Sequence, residues 1–169
     1  MTNETTTLTY QDFINKCYLF NTLAGKGELK DGLRGELIDQ ANLIKEEAQE
    51  VLEATVQEPL VNILQETIDV LVVAHGMVQL LESLNCDVQG ALQAVADCNL
   101  SKYTNCAETA AKSMVSLKEQ GVQCGCTYNA DAGFWIITDT NNKVRKPLGF
   151  TKVDLNDFVP DKYKTVKTN

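Results

Sequence analysis

The sequence predicts an all-α fold, a four-helix bundle with a small C-terminal β-hairpin appendage. Three observations carry this. Apolar residues recur at helical spacing from Tyr10 to Leu117. One segment inside that stretch, Pro59 to Leu84, is apolar nearly all round, as expected of a bundle's central helix. After Gly121 the period falls to two, the signature of short strands. The expected organisation is a helical domain over residues 1–120, with a hairpin and tail over 121–169 packed on it.

The first seven residues are polar and Thr-rich and should fray. In the first helix, Phe13, Ile14, Cys17, Tyr18, Phe20 and Leu23 share a face, and Thr9 with Asp12 resembles a capping box. Ala24-Gly25-Lys26-Gly27 breaks this helix, and Asp31-Gly32 marks a loop or new start. The second helix should run from about Gly32 to Gln57 on a stripe that includes Leu37, Ile44, Ala48, Val51 and Ala54. Glu58-Pro59 ends it, because the residue before proline resists the α region while proline suits a first helical turn. The third helix follows to Leu84. Asn85-Cys86-Asp87 gives a turn with Asp87 as a cap. A fourth helix is expected from Val88 to Leu117, bent near Tyr103-Thr104-Asn105. Val122 to Tyr128 and Phe134 to Ile136 read as strands joined by Asn129 to Gly133. A second turn at Asp139-Thr140-Asn141-Asn142 leads to Lys143-Val144-Arg145, and the chain from Pro147 reads as loop.

Composition narrows the function classes. A net charge of −8 argues against a polynucleotide as partner, since phosphate binding wants a basic surface. The basic residues that cluster are Lys143, Arg145 and Lys146, then Lys162, Lys164 and Lys167, read as solvated surface and tail. The longest apolar stretch, Val70 to Ala74, is far too short to cross a bilayer, so no membrane partner is expected. The N-terminus lacks the basic start and apolar stretch of a signal peptide, so a cytoplasmic location is the expectation. The six cysteines, at 17, 86, 98, 106, 124 and 126, include no C-x-x-C pair and are expected as reduced thiols.

The chemistry lies in two acidic pairs. Glu47 and Glu50 stand at i, i+3 in one helix, and Glu66 and Asp69 at i, i+3 in the next, so each pair shares a face. Glu50 and Glu66 are each eight residues from Glu58, and Glu47 and Asp69 are each eleven. An antiparallel reversal at Glu58-Pro59 therefore sets Glu50 level with Glu66 and Glu47 level with Asp69. Two carboxylates ~4 Å apart repel by roughly 4 kcal/mol at an effective dielectric of 20. Such a cluster must bind protons or cations, and hard oxygen ligands suit Mg²⁺ or Mn²⁺. Spacing leaves two readings open: a metal site, or an acidic face turned to solvent. Asp69 between Ile68 and Val70, in the most apolar helix, argues against full solvation.

An E-x-x-E pair followed across a helix reversal by E-x-x-D resembles the signature of the all-α nucleotide pyrophosphohydrolases. These include MazG, the dimeric dUTPases and phosphoribosyl-ATP pyrophosphohydrolase. Asn99-Leu-Ser-Lys102 is similar to the N-x-x-K of MazG-like proteins, and Phe20 to Lys26 and Gly121 to Phe150 look like parts of single-domain, often phage-encoded members. The likeness touches residues 10–155, with only the helical part specific. It implies hydrolysis of a nucleoside triphosphate to monophosphate and pyrophosphate, and in some members of diphosphates. It implies Glu47, Glu50, Glu66 and Asp69 as ligands of Mg²⁺, with Mn²⁺ able to substitute.

Glu46 is then a candidate general base beside that set, or simply a surface acid. Asn99 and Lys102, and more weakly Lys26, would bind phosphate oxygens. Phe13, Asn15 and Phe20 on the first helix are candidates for holding the base. Family members assemble as homodimers or homotetramers around a nucleotide substrate. Rival readings are a base-specific phage deoxynucleotide hydrolase (for dGTP, dCTP or dUTP), a phosphoribosyl-ATP hydrolase, and a non-catalytic helical adaptor with an acidic face. His75 on an apolar helix reads as a packed residue.

Overall fold

The computed structural model describes residues 8–26 and 33–164. The Thr-rich start, Gly27, the Asp31-Gly32 break with the expected helix start at Gly32, and Lys167 lie outside the described residues. Among the described residues there are five helices and one hairpin: α1 (Tyr10–Leu23), α2 (Leu33–Gln57), α3 (Leu60–Ser83), α4 (Val88–Leu100), α5 (Ala107–Glu119), β1 (Cys124–Asn129) and β2 (Phe134–Asp139). The described chain packs as two units, one of residues up to 88 together with 159–164, the other of 89–158.

In the first unit α3 packs against α2 and α1. The capping box that opens α1 is formed: Thr9 Oγ1 accepts from the Asp12 N–H at 3.1 Å, and Asp12 Oδ2 accepts from the Thr9 N–H at 3.1 Å. Pro59, extended at φ −61° and ψ 152°, separates α2 from α3. Its fixed φ and missing N–H stop one helix and start the next. The chain leaves α3 through a Schellman turn. Cys86 N–H donates to Leu81 O at 3.1 Å and Asn85 N–H to Glu82 O at 2.8 Å, with Asn85 left-handed at φ 62°. The Asn85–Asp87 turn of the sequence reading is thus Asn-driven.

α3 corrects one expectation. By length and composition it is long and apolar enough to cross a membrane, where the sequence reading found no such run. Counting uninterrupted apolar residues missed it, because Glu66, Asp69, His75 and several polar residues punctuate a segment that is apolar on average. Packing on α1 and α2 covers only part of it, since Leu60, Val61, Leu64, Ile68 and Leu71 stay exposed.

The second unit corrects the helix count. The single helix expected from Val88 to Leu117 is two, α4 and α5, so the described residues form five helices where four were expected. The break falls where a bend was expected, at Tyr103–Asn105. Thr104 joins the hairpin there: its N–H donates to Trp135 O at 3.3 Å and its carbonyl accepts from Trp135 N–H at 2.7 Å. A residue cannot spend both backbone groups on a strand and remain helical.

β1 and β2 pair antiparallel, with Tyr128 opposite Trp135 and their rings 5.0 Å apart. Asn129 Oδ1 accepts from Ala132 N–H at 2.9 Å, and Gly133 takes the left-handed conformation that closes the turn. α5 lies against both strands, and Ile137 is buried. The expected second turn is present: Val144 pairs back onto Thr138, and Asn142 is left-handed at φ 59°. The tail from Pro147 contains two short 3₁₀ turns, Asn156–Phe158 and Asp161–Tyr163, where only loop was expected.

Asp139 organises that second turn. Its buried Oδ1 accepts from the N–H groups of Asn141 (2.9 Å) and Lys143 (3.0 Å), and Oδ2 pairs with Arg145 at 2.7 Å. The Lys143 N–H above all, then Asn141 and Arg145, holds its carboxyl below the ordinary aspartate value against the opposing effect of burial. A lowered folded-state pKa contributes stability that is complete above the ordinary carboxylate range and is lost as pH falls through the lowered value. Asp139→Asn should therefore lower the urea midpoint at pH 7 and lose less of it on going to pH 3 than the wild type does, read by circular dichroism.

Candidate functional site

The helices on either side of Pro59 run back along one another, and the reversal brings their acids together. Carboxylate oxygens of Glu47, Glu66 and Asp69 all lie within 4.8 Å of one another, and each residue is half-buried. Glu50, more exposed, is the fourth member, since it stands close enough to Glu66 to help raise that carboxyl's pKa.

The electrostatics carry the mark of this crowding. Burial, then Glu50, Asp69 and Glu46, push the Glu47 carboxyl above the ordinary glutamate value. Burial, then the bond to Glu50 and the charges of Glu50, Asp69 and Glu47, push Glu66 up as well. Neither the Glu47 nor the Glu66 carboxyl has a cationic neighbour among these causes. The donor set is all oxygen, from two helices, converging on one point. It suits a hard divalent cation, which would supply the countercharge the protein withholds.

The other residues singled out from the sequence fall in different places. Glu46 is exposed and acts on Glu47 through its charge. On α1, Asn15 is exposed and its Oδ1 accepts from Gln11 Nε2 at 3.2 Å, and Phe20 is 60% exposed. Phe13 is half-buried, stacked on Tyr10 with centroids 6.1 Å apart and edge-on to His75 at 5.8 Å. Lys26, just past α1, is exposed, and its N–H donates to Asn21 O at 2.8 Å. Asn99 and Lys102 sit at the end of α4, where Lys102 Nζ donates to Asn99 Oδ1 at 2.7 Å. The amide thus points the ammonium, as the N-x-x-K spacing allows.

His75 is packed, as read. Its Nε2 lies 3.2 Å from the Tyr10 hydroxyl, and burial lowers its pKa, with Glu82 opposing. The sequence reading passed over Tyr10, whose i, i+3 spacing to Phe13 was the available signal. It also passed over two buried amides between the helices, Asn21 and Gln40, each 4% exposed.

Residues 30–98 match the family model of phosphoribosyl-ATP pyrophosphohydrolase. The matched stretch contains α2 and α3 entire, and with them all four clustered acids, and it stops one residue short of Asn99. No curated protein and no solved structure matches the chain.

A raised folded-state pKa has the opposite linkage to Asp139: its stability is present while the group is protonated and is lost as pH rises through the raised value. Metal-free protein should therefore lose stability from weakly acid to neutral pH. Glu66→Gln should raise the melting temperature at pH 7.5 in chelator, with a smaller gain at pH 5, read by calorimetry.

Proposed function

We propose that this chain is a Mg²⁺-dependent nucleotide pyrophosphohydrolase that converts a (d)NTP to the (d)NMP and pyrophosphate. The observation that carries the reading is the convergence of Glu47, Glu66 and Asp69 within 4.8 Å across two helices that lie inside the matched stretch. A half-buried set of repelling carboxylates is costly to fold, and a divalent cation would offset that cost while giving a polyphosphate its countercharge.

Glu47, Glu50, Glu66 and Asp69 would hold Mg²⁺, or Mn²⁺ in its place, and the chemistry such an ion would supply there is countercharge for the phosphates and a lowered pKa for water. Glu46, beside Glu47 and open to solvent, accepts the proton of the attacking water. Water adds to the α-phosphorus, the bond to the bridging oxygen breaks, and pyrophosphate leaves. Lys102, steered by Asn99, and Lys26 take phosphate oxygens. Phe20 and Asn15 are the α1 groups open to a base, and Phe13 backs them from its place against Tyr10 and His75.

The enzyme works in the cytoplasm as a homodimer or homotetramer. Leu60, Leu64, Ile68 and Leu71 form an exposed stripe on α3 that a second copy would cover. A second reading, phosphoribosyl-ATP as substrate, is favoured by the family match itself. Hydrolysis of one deoxynucleotide to adjust a phage DNA-precursor pool is the narrower form of the first.

A panel of the eight common NTPs and dNTPs plus phosphoribosyl-ATP, assayed with Mg²⁺ and scored for pyrophosphate against phosphate, separates these readings. Glu50→Gln and Asp69→Asn should each cut turnover by ~100-fold or more, beyond what loss of a ligand-orienting residue costs, with helical circular dichroism retained. EDTA should silence the wild type and Mg²⁺ or Mn²⁺ restore it. Full turnover in either variant, or in chelator, removes the metal from the reaction. Absence of measurable Mn²⁺ binding by calorimetry leaves an acidic adaptor as the account.

A further inference from the structure

The acids are not the only polar groups between α2 and α3. Gln40 and Gly76 are each eighteen residues from Glu58 (58 − 40 and 76 − 58), so they occupy the same antiparallel register as the two acid pairs. They also meet. A Cβ added to Gly76 would stand 2.6 Å from Gln40 Nε2, 2.9 Å from Gln40 Cδ and 3.2 Å from Asn21 Nδ2. Gln40 is 4% exposed, and its Nε2 donates to the main-chain carbonyl of Val73 at 2.7 Å. A side chain of α2 thus reaches through a notch in α3 and bonds to its backbone.

Neither residue is what a stable helix pair would choose. Glycine inside a helix costs about 1 kcal/mol relative to alanine, and a buried amide must be fully bonded to break even. What the pair supplies is position. Apolar contact is non-directional and tolerates sliding. A hydrogen bond to one carbonyl does not: a slip of one helical turn, about 5.4 Å, puts that oxygen out of reach. The acids give the helices a reason to slip, since their repulsion is relieved as soon as they cease to be level.

We infer that Gln40 and Gly76 form a register lock. They are positioning residues that keep α2 level with α3, so that the four carboxylates stay opposed before any cation arrives and offer it a preformed site. The cation part rests on the metal reading above; the register part does not.

Two measurements test it. The first is Mn²⁺ affinity by calorimetry. Gly76→Ala should weaken binding by roughly 10–100-fold, the range for residues that orient metal ligands, with helical circular dichroism retained. Gln40→Ala in that background removes the collision and should return affinity to that of Gln40→Ala alone. A general loss of α3 packing would not be rescued in this way. The second reads register without metal. Leu43 and Val73 are each fifteen residues from Glu58 (58 − 43 and 73 − 58). The Leu43→Cys, Val73→Cys pair should form a mapped cross-link under mild oxidation. Gly76→Ala and the near-isosteric Gln40→Leu should each slow it severalfold.

Unchanged cross-linking in both variants overturns the lock, as do independent, additive effects of the two substitutions on affinity. Should Gly76→Ala fail to fold, Gln40→Leu decides by itself. Failure of the wild type to bind Mn²⁺ while the cross-link still depends on Gln40 and Gly76 sinks the metal reading and leaves the lock standing.

Discussion

Everything in the first unit depends on how α2 lies against α3. The reversal at Pro59 needs only one stiff residue, but its effect extends over both helices, because every position on one is thereby matched to a position on the other. Glu50 and Glu66, Glu47 and Asp69, and Gln40 and Gly76 are rungs of a single ladder. Apolar burial supplies the attraction between these helices but cannot choose among neighbouring alignments. The polar rungs choose. Some repel and some bond, and they agree on one alignment only when the bonds hold the repelling groups in place.

The acids could be read from the sequence because their pattern is local. Pairs at i, i+3, mirrored about Glu58 beside a proline, need no knowledge of the rest of the fold, and the hairpin announced itself by a change of period. Gln40 and Gly76 follow the same mirror rule yet were invisible. Glutamine in a helix reads as surface, glycine reads as a weak point, and only coordinates show that one fills the hollow left by the other. The split between α4 and α5 was hidden for a different reason. Thr104 leaves the helix to pair with Trp135, thirty-one residues later, and such a long-range partner overrides local helical spacing.

Three ionisable groups show how the fold sets charge by surroundings. Asp139 is surrounded by backbone N–H groups and an arginine, and its charge is favoured. Glu66 is surrounded by other acids, and its charge is resisted. His75 sits among aromatic rings and is held towards its neutral form. The Asp139 carboxylate is satisfied by its own neighbours. His75 bonds through Nε2 but keeps a buried Nδ1 without a hydrogen-bond partner. Glu66 has acids and no cation among the groups that set its pKa, which is the feature the proposed metal would answer.

The single tryptophan has a practical consequence. The Trp135 ring lies against Tyr128, its register partner on β1, and both its backbone groups bond to Thr104, all within the unit of residues 89–158. Its emission therefore reports on that unit alone, whereas most of the far-ultraviolet helix signal comes from α1, α2 and α3 of the other. The molecule carries a separate optical reporter for each half. Coincident melting curves from the two would mean that the halves unfold as one cooperative block, and divergent curves that each has a stability of its own.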